Sequence, residues 1–231
     1  MIPFFVIVVF FIVGLLVRIF FGNAVLSLAN SVNTPWGIIT SNFVFDGFQN
    51  MEAMLLFLVF LYLTSVSFKI KLRNGRYIAT LVSMFAGGII ANFLWFYEMF
   101  RSGSTVTSAG QSGVVYAFWG ACFSLFLFDT IIIIIGKGAK LIRRNSSQIG
   151  ALKSSSKRLR WIGGACSVVF SIIVLADLYD GQRAFFSELP HINYFVHIAA
   201  FFSGVLICAF IYLPILIRNI LKVKPITTVQ L

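Results

Sequence analysis

Long apolar runs are the feature of this sequence that most restricts how it can fold. Isoleucine, leucine, valine and 27 phenylalanines gather into long stretches separated by short polar or basic breaks. A helix that crosses the ~30 Å hydrocarbon core of a bilayer needs roughly 20 such residues. With 59% hydrophobic and 11% charged residues, the 231-residue chain carries more apolar surface than one water-soluble core could bury. The sequence therefore predicts an all-α, polytopic membrane protein.

Six transmembrane helices are expected from these runs. They lie near residues 2–21, 51–68, 77–97, 112–135, 161–179 and 193–217. The first run could be read as a signal peptide, but its apolar stretch is too long and no basic residue precedes it. We expect residues 1–231 to form a single six-helix domain that ends in a short basic tail, 218–231. The Ser-, Lys- and Arg-rich stretch 136–160 is predicted to be a loop.

The basic residues predict the orientation, because short cytoplasmic loops retain Lys and Arg. Most of the 18 basic residues fall in three places: between spans two and three, between spans four and five, and in the tail. Arg18, Arg101 and Arg183 lie on the opposite side, where most of the acidic residues also collect. Both termini are therefore expected in the cytoplasm.

The net charge of +11 is explained by this topology and by attraction to anionic lipid. Nucleic-acid binding is not expected, because no soluble module with a basic, aromatic face is present. Cys122, Cys166 and Cys208 lie inside predicted spans without metal-ligand spacing, which favours buried thiols. No metal and no other cofactor is predicted.

Polar residues inside apolar spans mark where chemistry is expected, because such placement is costly without a partner or a use. The sharpest candidate is Ser112, in the sequence Gly110-Gln111-Ser112-Gly113, where a Gly/Ser-rich loop turns into span four. A serine between glycines at a helix N-terminus has a hydroxyl and nearby backbone N–H groups that could stabilise an oxyanion. The alternative is that these small residues only permit a tight turn or close helix packing.

His197 is the second candidate, five or six residues inside span six. At ~1.5 Å per residue it would lie about 8–10 Å below the outer end of that span. A dipping loop before Ser112 could match this depth. A membrane histidine is usually a hydrogen-bonded packing residue, but one at the depth of a Gly-flanked serine is a plausible general base.

Small residues predict that spans four and six pack closely. Gly113 and Ala117 are one turn apart on span four, and Ala200 and Gly204 repeat that spacing on span six. Tyr116 follows Ser112 by one turn, so it would lie under the serine and could stack against His197.

These residues resemble the motifs of the rhomboid family of intramembrane serine proteases. Gly110-Gln111-Ser112-Gly113 is similar to the GxSG motif of that family, and the residues up to Ala117 are similar to the start of the helix that follows the motif. The segment His197 to Gly204 resembles the histidine-bearing last core helix, HxxGxxxG, with Ala200 in place of the first glycine. The number and orientation of the helices and the order of the motifs also agree.

The resemblance implies that Ser112 is the nucleophile and His197 the base of a Ser–His dyad. It also implies oxyanion donors from the Gln111 and Ser112 backbone, and Tyr116 packed on the histidine ring. Departures lie upstream, where Gly37 follows Trp36 instead of arginine. The family's HxxxN pair on span two falls on Asn50 and Met54. Asn50 could still donate a hydrogen bond to an oxyanion, but Met54 could not.

The expected function is therefore an intramembrane serine endopeptidase that cleaves membrane proteins with a transmembrane helix, in the plasma membrane. One alternative is a catalytically inactive rhomboid-like protein that binds membrane clients. A less favoured alternative is a small transporter, with Glu52 and Asp129 as pathway carboxylates. No Gly/Pro-broken helices occur in matching halves, as such a transporter would require. The oligomeric state does not follow from the sequence.

Overall fold

Helices make up most of the computed structural model, which describes residues 2–22, 27–45, 73–105, 111–142 and 192–221, with 48, 51–52, 54–55, 58, 172, 176 and 179. The elements are α1 (Ile2–Phe21), α2 (Gly37–Thr40), a 3-10 turn (Ser41–Phe43), α3 (Arg73–Ser102), α4 (Ser112–Ile142) and α5 (Ile192–Leu221). No strand occurs among these residues, where one isolated bridge joins Ser31 to Thr34.

Three of the described helices are long and apolar enough to cross a membrane. The spanning stretches are Phe4–Phe21, Gly75–Ser102 and Phe195–Ile215, and the described part of α4 adds the shorter apolar stretch Ser112–Phe128. Large apolar side chains face outward, such as Phe20 at 80% exposure. Soluble monomers rarely expose such surfaces over whole helices. The chain is therefore mostly helical and has the character of a membrane protein.

The second and fifth predicted spans fall mostly outside the described residues. The residues of 51–68 and 161–179 that the structure does describe are helical. The expectation of six spans stays a prediction, whereas four of the six regions contain the long helices given above.

Helices α4 and α5 run side by side in the same direction. Their contacts advance together along both helices: Gly113 with Val196, Tyr116 with His197, Gly120 with Phe201, and Phe128 with Tyr212. Helix α3 runs the opposite way, since its start at Gly75 lies against Ile215 and its middle at Gly87 lies against Gly204. The end at which α4 and α5 begin is called the Ser112 end below.

Glycines bring the three helices α3, α4 and α5 into backbone contact. A Cβ atom placed on Gly204 would collide with the carbonyl oxygen of Ala117, and one on Gly120 would collide with that of Phe201. At Gly87 such an atom would lie 2.7 Å from the Ala117 Cβ. Helices in lipid gain little from apolar burial against each other, so close van der Waals packing of this kind holds them together.

The helices extend further into the basic regions than the apolar runs predict. Helix α3 begins at Arg73 and α4 continues to Ile142, so positions 136–142, expected in a loop, are helical. Both helices are therefore longer than the apolar runs from which they were predicted.

Arg76 differs most from its expected place. Instead of lying in a cytoplasmic loop, it is inside α3 and its side chain is fully buried. Its guanidinium carbon lies 5.9 Å from the centroid of the Tyr212 ring. An arginine over an aromatic face gains a cation–π attraction, which offsets part of the cost of burying the charge.

We expect Gly204→Ala to destabilise the protein by about 1–3 kcal/mol, because the new methyl group must push α4 and α5 apart. Thermal unfolding in detergent, followed by circular dichroism, measures the change. Gly75→Ala is the matched control, since a Cβ there would lie 3.5 Å from Ile215, an ordinary contact. Equal stability of the two variants would contradict the close contact at Gly204.

Candidate functional site

Ser112 is the first residue of α4, at the end of the helix where backbone N–H groups lack partners within the helix. The Val115 N–H donates to the Gln111 carbonyl oxygen at 3.1 Å, which makes Gln111 the residue that caps the helix. The first turn contains no acidic side chain. The positive end of the helix dipole is therefore not neutralised by a carboxylate within that turn, and it would stabilise negative charge near Ser112.

The imidazole of His197 lies flat against the ring of Tyr116. The ring centroids are 4.0 Å apart and the planes differ by 6°. Tyr116 follows Ser112 by one helical turn, so this stack places the imidazole beside the same stretch of α4 that begins with the serine. A stacked imidazole has its face covered, and its two nitrogen atoms lie at the ring edge.

Aromatic packing extends this stack into the bundle. The rings of Tyr116 and Trp119 have centroids 4.8 Å apart. Next to the histidine, Val196 approaches to 3.4 Å from the position that a Cβ on Gly113 would occupy. The Val196 side chain therefore packs against Gly113 beside the stack, which restricts the positions that the His197 side chain can take.

The Ser112 end of α4 is recessed relative to α3. Gly88 of α3 lies against Val114, and α3 continues from there to Ser102. At 1.5 Å rise per residue, α3 extends roughly 15–20 Å beyond the level of Ser112. Ser112 therefore lies well within the length of α3 and not at its end.

Residues 27–45 fill part of this recess and are held there by side-chain amides. The Asn30 amide donates to the backbone oxygen of Asn92 at 2.6 Å, and the Asn92 amide donates to Asn42 Oδ1 at 2.9 Å. Asn42 in turn donates to the carbonyl oxygens of Ile38 and Ile39. All three asparagines are buried. These buried amide hydrogen bonds fix the segment against α3.

Asn42 connects this segment to the serine helix. Its Oδ1 atom lies 2.9 Å from the position of a Cβ on Gly88 and 4.0 Å from that of a Cβ on Gly113. The two glycines make room for the amide at the junction of α3 and α4. The segment after α1 therefore lies directly beside the first turn of the helix that carries Ser112.

The remaining predicted site residues fall into two groups. Ala117, Ala200 and Gly204 lie at the buried contacts of α3, α4 and α5 described above. Gly110 and Asn50 lie outside the described residues, as does the side chain of Asp129. The structure therefore brings together Gln111, Ser112, Gly113, Tyr116 and His197, together with the small residues beneath them.

The structure describes two residues of span two that the sequence singled out, Met54 and Glu52. Met54 is fully buried in an apolar cluster that includes Phe10 and Met84. It occupies a position at which the resemblance would have a hydrogen-bond donor, and a thioether cannot donate. Glu52 is exposed.

The asparagines Asn30, Asn42 and Asn92 were missed by the sequence analysis. The sequence does indicate a role for Asn92, because it lies inside the apolar run of the third span, where a polar side chain requires a partner. Nothing in the sequence distinguishes Asn30 and Asn42, because asparagines are common in loops.

The arrangement provides a hydroxyl at a helix N-terminus and an imidazole stacked one turn away. These are the groups required for nucleophilic attack and proton transfer. Among the described residues, no three His, Cys, Asp or Glu side chains lie close enough together to hold a metal ion. The chemistry that these described side chains offer is that of a serine and a histidine.

Comparisons with known proteins give no match. No family model matches the chain, and neither a curated protein nor a solved structure is similar to it. The resemblance to rhomboid proteases therefore depends on the motifs of this sequence.

We expect Asn42→Ala and Asn92→Ala to be coupled, because each removes one partner of the same buried hydrogen bond. Each single change leaves a buried amide atom without its bond, which typically costs about 1–3 kcal/mol. The double variant should therefore lose less stability than the two single variants together, by about 0.5–3 kcal/mol in thermal or denaturant unfolding. Strict additivity would show that the 2.9 Å contact contributes nothing.

Proposed function

We propose that the protein is an intramembrane serine endopeptidase of the rhomboid type, with Ser112 as the nucleophile and His197 as the general base. The observation that carries this proposal is the stack of Tyr116 on His197 at 4.0 Å, one turn below Ser112. In the proposal, α1, α3, α4 and α5 belong to a bundle of six spans with both termini in the cytoplasm. The plasma membrane is the proposed location.

The proposed reaction begins when the Ser112 oxygen attacks the carbonyl carbon of a peptide bond in the substrate. His197 accepts the serine proton and then delivers it to the nitrogen of the leaving amine as the peptide bond breaks. Water attacks the resulting ester as His197 accepts a proton from it. His197 then returns that proton to the Ser112 oxygen as the bond between this oxygen and the acyl carbon breaks, which releases the carboxylic acid product and regenerates the serine. No third, acidic residue is part of this dyad.

Oxyanion stabilisation in this proposal comes mainly from the backbone. The N–H groups of the first turn of α4 point out of the helix toward its N-terminus, and the helix dipole adds a partial positive charge. Loss of a single donor of this kind can cost about 10²–10³ in rate. Since Met54 lies in the apolar core, the backbone donors at Gln111, Ser112 and Gly113 carry more of this task. Asn50 is a candidate for one further donor.

The recess around Ser112 supports a substrate that comes from within the membrane. Because α3 extends well beyond the level of the serine, Ser112 lies within the length of that apolar helix. A single transmembrane helix could approach laterally and unwind there. The substrate class proposed is therefore a membrane protein cleaved in or near its transmembrane segment.

The alternative with a physical basis is an inactive relative that binds membrane clients. Burial of Met54 favours it, because one expected oxyanion donor is absent from that position. Such a protein would bind the same transmembrane helices without cleaving them.

We expect Ser112→Ala and His197→Ala each to reduce cleavage of a single-span test substrate to background, because each removes a group that the reaction cannot replace. The assay uses purified protein in liposomes and separates the products by gel electrophoresis. Ser102→Ala is the matched control, since this serine is exposed at the end of α3. Cleavage that persists in Ser112→Ala would refute the assignment, and client binding without cleavage by the unmodified protein would favour the alternative.

We also expect cleavage to be faster when the substrate helix is weakened near the cut bond. A peptide bond inside an α-helix must leave it before attack, and an internal proline destabilises a helix by ~3 kcal/mol or more. Substrates with Pro or Gly placed two to four residues from the cut bond are compared with a poly-leucine parent in the same liposomes. A parent that is cleaved as fast as its weakened versions would contradict attack on an unwound segment.

A further inference from the structure

The side chain of Gln111 links the start of α4 to α1. Its Nε2 atom donates to the Phe10 carbonyl oxygen of α1 at 3.4 Å, a long hydrogen bond between residues 101 positions apart. The side chain is fully buried. The residue immediately before Ser112 is therefore attached to a helix that provides none of the proposed reacting groups.

Gly14 of α1 makes this contact possible. A Cβ atom on Gly14 would collide with Gln111 Nε2 and would lie 3.0 Å from the Gln111 amide carbon and 3.1 Å from the Phe43 carbonyl oxygen. In a helix interior, glycine is less stable than alanine by about 1 kcal/mol. Its presence in the apolar run of α1 is explained by the amide that lies against it.

The rest of α1 is held mainly by apolar contacts. Ile7, Phe10 and Phe11 face the core, and the Phe10 ring packs on the rings of Phe43 and Phe85. The opposite face is exposed, as Phe5 and Phe20 show. The Gln111 amide therefore connects a peripheral helix to the capping residue of the serine helix.

We propose that α1 positions Ser112 through Gln111, so that Gln111 is a positioning residue for the reaction. This inference rests on the proposed function. Because Gln111 caps α4, a shift of its side chain moves the backbone that carries the Ser112 oxygen and the N–H groups of the first turn. A misplacement of about 1 Å at a reacting group can cost about 10²-fold in rate.

The test is a pair of substitutions that interact. Gly14→Ala is expected to lower kcat for the single-span substrate by about 10- to 100-fold with little change in KM, because the methyl group displaces the Gln111 amide. Gln111→Ala removes the displaced group. The double variant should therefore have the activity of Gln111→Ala alone, and Gly75→Ala, a helix glycine with ordinary contacts, should leave kcat unchanged.

A second measurement follows the position of residue 112 without any proteolysis. Ser112→Cys is made in a protein whose three cysteines, Cys122, Cys166 and Cys208, are changed to alanine. The rate at which a maleimide alkylates the Ser112→Cys thiol is then compared in four backgrounds: unmodified, Gly14→Ala, Gln111→Ala, and both. We expect Gly14→Ala to change this rate severalfold and Gln111→Ala to abolish the effect of Gly14→Ala.

The two proposals fail in different ways. Alkylation and kcat that are insensitive to Gly14→Ala would overturn the positioning role, as would an effect of Gly14→Ala that persists undiminished with Gln111→Ala. Cleavage that survives Ser112→Ala would instead overturn the dyad. In that case the alkylation rates still decide whether α1 positions residue 112.

Discussion

The convergence of three helices at Gly87, Ala117 and Gly204 is the contact on which the rest of the structure depends. A Cβ atom at Gly87 would lie 2.7 Å from the Ala117 Cβ and 3.2 Å from the backbone nitrogen of Gly204. No larger residue fits at this crossing without moving a helix. Because α4 and α5 meet here in parallel, Tyr116, which directly precedes Ala117, is brought face to face with His197, which lies about two turns before Gly204. The stack of Tyr116 on His197 follows from this backbone geometry.

The 27–45 segment also depends on a close contact that only a small residue permits. Gly37 follows Trp36 in this segment, and the structure supplies a reason for a glycine at that position. A Cβ atom there would collide with both the Ala29 carbonyl oxygen and the Asn30 Cα, so no side chain fits. The segment turns back on itself, and Trp36 Nε1 donates to the backbone carbonyl oxygen of Ser27 at 2.7 Å. The glycine at position 37 is therefore explained by the tight folding of the segment around it.

The sequence predicts the apolar helices well because lipid imposes one simple requirement, about 20 apolar residues in a row. It predicts their ends poorly because basic side chains such as Lys137 look like loop residues although the backbone there is helical. Arg76 shows the same limit, since its burial depends on Tyr212, which lies far away in the sequence. The local motif around Ser112 and its spacing from Tyr116 were visible in the sequence. The partners of that motif on other elements, Gly14 and Asn42, depend on packing that no local pattern encodes.

The proposed chemistry makes backbone position unusually important in this protein. Where a site has several side-chain donors, each can adjust its rotamer to an oxyanion, but backbone N–H groups move only with the helix that carries them. The burial of Met54 in the apolar core leaves the first turn of α4 with a larger share of that stabilisation. That turn is held from two sides, by the Gln111 amide against Gly14 and by Asn42 beside Gly113. Rigid support around the serine would then compensate for a donor that span two does not provide, since preorganised dipoles need no rearrangement as charge develops.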